Sequence, residues 1–177
     1  MRKFLLLVMS LCLALITVRA LRAEQEKRAS PHEQVSLVLD GKKITVEYGR
    51  PYKKGREIFG KLVPFGEVWR TGADEATTIT SDANLTIGSL KVAKGTYSLF
   101  TLPTQKDFTL IVNKTAKQWG AYKYDPKQDL GRTPMTVTTA PAPVEQLTIS
   151  LEAAGGKKGT LKIAWDKTVA TVPVSVD

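Results

Sequence analysis

Three arginines and a pair of adjacent acids carry the chemistry that this 177-residue chain could do. Arg50, Arg56 and Arg70 each offer a planar guanidinium fork, able to hold a carboxylate, a phosphate or a sulfated sugar through paired N–H bonds. Asp74 and Glu75 supply two carboxylates, and glycoside hydrolysis uses two carboxyl groups flanking the bond to be cut. Trp69 stands beside Arg70 as an aromatic wall, and Trp69, Tyr97, Trp119 and Tyr122 would suit stacking on sugar rings. Neighbours on an extended segment point to opposite faces, so Asp74 and Glu75 face each other only across a turn. Glu47, Glu57 and Glu67 are alternative carboxylate partners. The same charges also suit an internal network, with guanidinium groups satisfying loop carbonyls and carboxylates. Both readings stand at this point.

Other chemistries are closed off by residue type. The only cysteine, Cys12, falls in the apolar N-terminal run. Bulky Leu11 precedes it where a lipid-attachment signal has a small residue, so it reads as an ordinary residue of that run. Once that segment is removed, neither disulfides nor thiolate metal sites nor cysteine nucleophiles are possible. The only histidine, His32, has no neighbouring nucleophile in sequence, which argues against a Ser-His-Asp arrangement. A zinc site of the His/Cys kind lacks ligands. No metal and no cofactor is expected.

These residues sit in an unusual stretch, Tyr48 to Thr78, dense in Gly, Pro, aromatic and charged residues. Pro51 restricts Arg50 to extended backbone, and Gly55, Gly60, Gly66 and Gly72 permit tight turns. Ile58, Phe59, Leu62, Val63, Phe65, Val68 and Trp69 are expected to pin the stretch to the body of the protein as a compact, irregular excursion. Each buried side chain of this kind contributes about 1.5–3 kcal/mol.

The scaffold on either side reads as β. Val35–Leu39 and Ile44–Tyr48 alternate around Asp40-Gly41, a strong hairpin signal. Further strands are expected at Thr77–Thr80, Leu85–Ile87, Leu90–Val92, Thr96–Leu102 and Phe108–Val112. Gln118–Tyr124, if extended, puts Trp119 and Ala121 on one face and Tyr122 and Tyr124 on the other; Trp119 is assigned to the core and Tyr122 to the surface. Met135–Thr139, Gln146–Glu152 and Thr160–Trp165 follow, and Thr168–Val176 adds a terminal strand that Pro173 confines to an edge or bulge. Short strands separated by Gly, Pro, Asn and Asp argue for an all-β, antiparallel β-sandwich. One such domain is expected over residues 35–177.

The ordered motifs of the central stretch resemble a known family. Tyr48-Gly49-Arg50-Pro51, Lys54-Gly55-Arg56, Ile58-Phe59-Gly60, Val63-Pro64-Phe65-Gly66 and Val68-Trp69-Arg70-Thr71-Gly72-Ala73 are similar to the signature of bacterial domain-of-unknown-function family 2911. Glu75-Ala76-Thr77, Gly95-Thr96-Tyr97-Ser98-Leu99, Asn113-Lys114 and Gln118-Trp119-Gly120-Ala121-Tyr122 extend the likeness from about Val35 to Leu151. Asp74 stands where that pattern has Asn, a carboxylate in place of a neutral amide. The resemblance implies an exported bacterial domain and no particular activity.

The N-terminus points to export. Arg2 and Lys3 precede the apolar run Phe4–Val18, and Val18-Arg19-Ala20 places short side chains where a signal peptidase reads them, with Ala23 an alternative cut. The run is shorter than the roughly 20 residues of a membrane span. A signal peptide is therefore expected at residues 1–20, with an uncleaved N-terminal anchor as the alternative, and a flexible leader at 21–34, with no membrane span once the signal is cleaved. The destination is the periplasm or the outside of the cell. The formal charge of +9 includes three positive residues of that signal. Lys42-Lys43, Lys53-Lys54 and Lys157-Lys158 lie beside glycines, as solvated turn residues do. Such a balance suits an acidic glycan or anionic head groups. Nucleic acid is not expected, since no reading motif is present. Arg50, Arg56, Trp69, Arg70, Asp74, Glu75 and Tyr122 together point to a non-catalytic binding module for a glycan, a peptide or a small acidic ligand. Its partner is thus a small molecule, a glycan or a protein, and its oligomeric state is open. The rivals are a carboxylate-based polysaccharide hydrolase and a purely structural envelope protein.

Overall fold

The structure, a computed structural model, describes residues 30–177. The expected signal peptide and the first nine residues of the leader lie outside the described residues.

Nine strands form one antiparallel sheet: β1 (His32–Leu39), β2 (Lys42–Gly49), β3 (Thr78–Ser81), β4 (Leu85–Ile87), β5 (Leu90–Val92), β6 (Gly95–Pro103), β7 (Phe108–Asn113), β8 (Asp129–Gly155) and β9 (Lys158–Val176). Their order is β1-β2-β3-β6-β7-β8-β9-β4-β5. The all-β, antiparallel expectation holds; β8 pairs with β7 through Asp129–Met135 and with β9 from Thr136 onward, and so joins the two parts of the strand order.

The hairpin signal is realised as read. Leu39 pairs with Lys42, and Asp40 and Gly41 take φ values of 49° and 73°, the left-handed pair of a type I′ turn. β1 begins at His32 rather than Val35, because His32, Glu33 and Gln34 find partners in Gly49, Tyr48 and Glu47. Those three residues of the expected leader are part of the sheet.

Of the three expected breaks among the last four strands, the glycine-rich turn at 154–159 is realised between β8 and β9, while those at 139–146 and 165–168 are irregularities inside two long strands. Pro141 and Pro143 have no N–H to give the ladder, so the register between β8 and β9 slips from Thr139 to Val144 and again to Thr148 without ending. Opposite Val144 lies Asp166, with a left-handed φ of 51°. Lys53 Nζ reaches Asp166 Oδ1 at 2.5 Å and ties the irregular stretch to this bulge.

The bent sheet encloses its own core. Three strands separate β2 from β8 in the ladder, yet the buried Tyr48 hydroxyl accepts from Ile149 N–H at 3.0 Å. Ile44, Val46, Ile79, Leu110, Ile149 and Ile163 belong to the same apolar cluster. The stretch between β2 and β3 runs along β6 as an irregular extra strand. Gly66 N–H donates to Pro103 O, Trp69 exchanges two bonds with Thr101, and Leu99 N–H donates to Thr77 O, at 2.7 to 2.9 Å. Of its expected pins, Ile58 and Val63 are buried and Phe59, Val68 and Trp69 are partly buried. Leu62 and Phe65 are instead exposed. Phe65 lays its ring over Gly60, where a Cβ would come within 2.8 Å of it.

Candidate functional site

The three arginines meet three different fates. Arg50 is consumed by the fold: its Nε donates to Leu147 O at 2.9 Å, one Nη pairs with Glu33 Oε2 at 2.7 Å, and the other donates to Thr148 Oγ1 at 3.0 Å. It staples the end of β2 to the far half of β8. Arg56 curls back on its own loop, donating to the carbonyls of Lys53 and Tyr52. Arg70 is different. Among the described residues no acceptor takes its guanidinium, and its Nε is buried without a hydrogen-bond partner. Leaving a buried donor unpaired costs about 1–3 kcal/mol, and more for a charged group.

Arg70 lines a cleft of about 500 Å³ with Tyr52, Arg56, Trp69, Asp74 and Trp165, a volume in the range of small-molecule sites. Ser30, Pro51 and Lys54 complete one side. Trp69 is backed by Trp165, the two rings stacked 5.8 Å apart at 18°, and Phe59 meets both edge-on. Trp69 Nε1 donates to Gly72 O at 3.2 Å, so the ring is fixed by its own loop. Buried Thr71 accepts at its carbonyl from Thr77 Oγ1, 2.9 Å away, which closes that loop.

The adjacent acids diverge in position and converge on one partner. Thr71 and Asp74 both take left-handed φ values, 58° and 62°, and these reversals turn the segment. His32 Nε2 then lies 3.0 Å from Glu75 Oε2 and 3.9 Å from Asp74 Oδ2. Asp74 faces the first cleft, and Glu75 faces a second of about 490 Å³ with His32, Glu47, Tyr48 and Gln118. Asp74 Oδ2 is buried with no hydrogen bond among the described residues. No group of three or more His, Cys, Asp or Glu among the described residues could hold a metal ion, and no helix there is long and apolar enough to cross a membrane.

Trp119 departs from expectation. It is 58% exposed rather than core, because Gly120 takes a φ of 63° and turns the chain where an extended run was expected. Gly120 N–H donates to Asp74 O and Ala76 N–H to Gln118 O, both at 2.9 Å, so this turn is sewn to the acidic segment. Tyr122 is on the surface, as expected, at 84% exposed. Ala121 and Tyr124 turn inward instead, onto Ala76, Phe100 and Ile111.

Tyr124 anchors the turn from below. Its hydroxyl donates to Asp129 Oδ2 at 2.7 Å and accepts from an Arg132 Nη at 2.8 Å. Burial, and then the hydrogen bond and charge of Asp129, push the phenol up to about 12. The unfolded chain ionises near 10, so this group's contribution is full below pH 10 and is lost as the pH climbs through 12. The melting temperature is expected to fall across that window, and Tyr124→Phe to remove this component of the fall. Difference absorbance of the tyrosines against pH checks the assignment.

His32, Tyr52, Lys54 and Trp165 line these clefts; the last three were not singled out from the sequence, and His32 was named only to argue against a Ser-His-Asp arrangement. The regular β pattern of Thr160–Trp165 gives no sign that its last residue backs a loop almost a hundred positions earlier. His32 gave no such signal either: Glu33 stands where the alternation of Val35–Leu39 would need an apolar residue.

An antiparallel β-sheet protein with a loop-built, arginine-bearing cleft is the class that fold and site define. The family model described as "Protein of unknown function (DUF2911)" matches residues 30–174, and the chain belongs to that family. Searches of curated proteins and of solved structures found no match.

Proposed function

We propose that this protein is an exported binding module that holds a small anionic ligand in the cleft beneath Arg70. One observation carries the reading: of the three arginines, Arg70 alone has its guanidinium unclaimed by any acceptor among the described residues while lining a cavity of ligand size. A carboxylate or similar anion supplies the missing acceptors, and Trp69 offers an apolar face beside it. Export rests on the charged and apolar N-terminal pattern. The hydrolase reading is less favoured. A glycosidase needs its two carboxyl groups on either side of a sugar, whereas Asp74 and Glu75 face separate clefts and share an imidazole.

The test is a thermal-shift panel of sugar acids, hydroxy acids and phosphate on the chain from Leu21 onward. An anion that binds only the folded state raises the melting temperature as its concentration rises. The shift is expected to disappear in Arg70→Ala, whose own stability stays close to that of the parent. A lost charge-assisted fork corresponds to about 1.5–3 kcal/mol, roughly ten- to a hundred-fold in affinity. Arg50→Ala should do the reverse: a fall of several degrees in melting temperature with the anion response kept. No response to any anion, with Arg70→Ala as destabilised as Arg50→Ala, would return Arg70 to the structural network.

A further inference from the structure

We propose that the ligand is an acidic oligosaccharide, and that its next sugar stacks on a second subsite formed by Trp119 and Tyr122. The inference rests on the anion-binding reading above and names its ligand class. Arg70 joins the two places. It lines the cleft with Trp69 and Asp74, and one of its Nη atoms is 3.4 Å from where a Cβ on Gly120 would stand. The Tyr122 ring lies 2.9 Å from that same point. The guanidinium therefore passes under the turn that carries both exposed rings.

That turn opens onto a concavity of about 370 Å³ lined by Thr115, Lys117, Gln118, Trp119, Tyr122 and Lys123. Two large rings so exposed on one short turn are a surface feature that folding alone does not require. Aromatic rings of this kind bury a broad apolar face at small cost in side-chain entropy, and Tyr and Trp keep a polar tip for water.

The chemistry around the two places selects the ligand. Arg70 needs an acceptor; Trp69, Trp119 and Tyr122 suit flat C–H faces; Lys117 and Lys123 suit negative charge farther along. A uronic-acid chain carries carboxylate, hydroxyls and a flat ring face in every unit. An acidic peptide carries the charge but no repeated flat face.

Calorimetric titration with galacturonate and with its dimer and trimer reads this directly, with tri-glutamate as the peptide arm. In the parent protein the trimer is expected to bind at least ten-fold more tightly than the monomer. In Trp119→Ala and Tyr122→Ala that ratio should fall to about one. Should either variant fold poorly, acrylamide quenching of tryptophan fluorescence in the parent gives the same answer, since the trimer should shield Trp119 and the monomer should not. Affinity that does not rise with length, while the monomer binds through Arg70, overturns this inference and leaves the anion reading intact. Tighter binding of tri-glutamate than of the trimer overturns the sugar in favour of a peptide. No binding of any galacturonate overturns the inference as well, and the anion panel then decides separately whether Arg70 holds another acid.

Discussion

Trp165→Ala is expected to cost about 3–5 kcal/mol of folding stability, the range for losing a fully buried large aromatic. At a domain of this size each kcal/mol lowers the melting temperature by roughly 2–4 °C, so a fall of ten degrees is within reach. Trp165 is 1% exposed and sits where the excursion meets the sheet, stacked on Trp69 and edge-on to Phe59. Its removal leaves a void directly behind the cleft wall, so Trp69 loses its backing, and the anion affinity proposed above should drop along with stability. The indole N–H of Trp165 is buried with no hydrogen-bond partner among the described residues. Trp165→Phe gives up part of the packing but also removes that unpaired donor, and should cost less than half as much as alanine. Urea denaturation of both variants measures the difference. A loss under 1 kcal/mol for alanine would mean that this layer is not packed as described.

Gly49→Ala is expected to be at least as damaging as an ordinary overpacking change of about 1–3 kcal/mol, and to disable the cleft. A Cβ on Gly49 would stand 2.1 Å from Ala73 O and 2.8 Å from its carbonyl carbon. Both are backbone atoms, so no side-chain rotation relieves the clash. Ala73 N–H donates to Gly49 O at 3.2 Å, so the two segments are held together where the methyl would intrude. The chain must part there, and Asp74 moves with it. Gly55→Ala is the contrast: nothing lies within 4 Å of its Cβ position, and only its φ of 70° is unfavourable, a cost of roughly 1–2 kcal/mol. Paired urea melts and ligand titrations separate the cases. Full ligand affinity in Gly49→Ala would show that Ala73 and Asp74 can shift without consequence.

Much of the scaffold could be read from residue order because its strands are short and bounded by glycine, proline, asparagine or aspartate. Asp40-Gly41 needs no tertiary information, since its left-handed geometry is local. The gap expected between Thr139 and Gln146 proves to be continuous strand for the opposite reason, and Pro141 and Pro143 lie in it. Proline forbids a ladder bond, but whether the strand stops or merely slips depends on the partner, and Asp166 accommodates the slip. The fates of the arginines were not legible at all. Arg50 finds its acceptors on Leu147 and Thr148, almost a hundred residues away, while Arg70 finds none among the described residues. Sequence spacing cannot tell those outcomes apart. Trp119 was assigned by its apolar character to a core from which the turn at Gly120 excludes it. His32 was set aside with the leader because three extra rungs of pairing are invisible before the partner strand is known. The family likeness, in contrast, rests on ordered short motifs and is borne out over residues 30–174.

The staple between β2 and β8 has a consequence for how this chain comes to be folded. Tyr48 meets Ile149 across 101 residues, and Arg50 meets Thr148 across 98. Drawing the ends of such long spans together costs conformational entropy before any contact rewards it, and sheets dominated by distant pairings fold in milliseconds to seconds. The hairpins β1–β2 and β6–β7 close over short spans and need not wait. Trp69 and Trp165 come together only when the distant halves of the chain have met. The cleft is thus expected to form among the last parts of the molecule, and under the anion-binding reading proposed above, binding would appear only as the fold is completed.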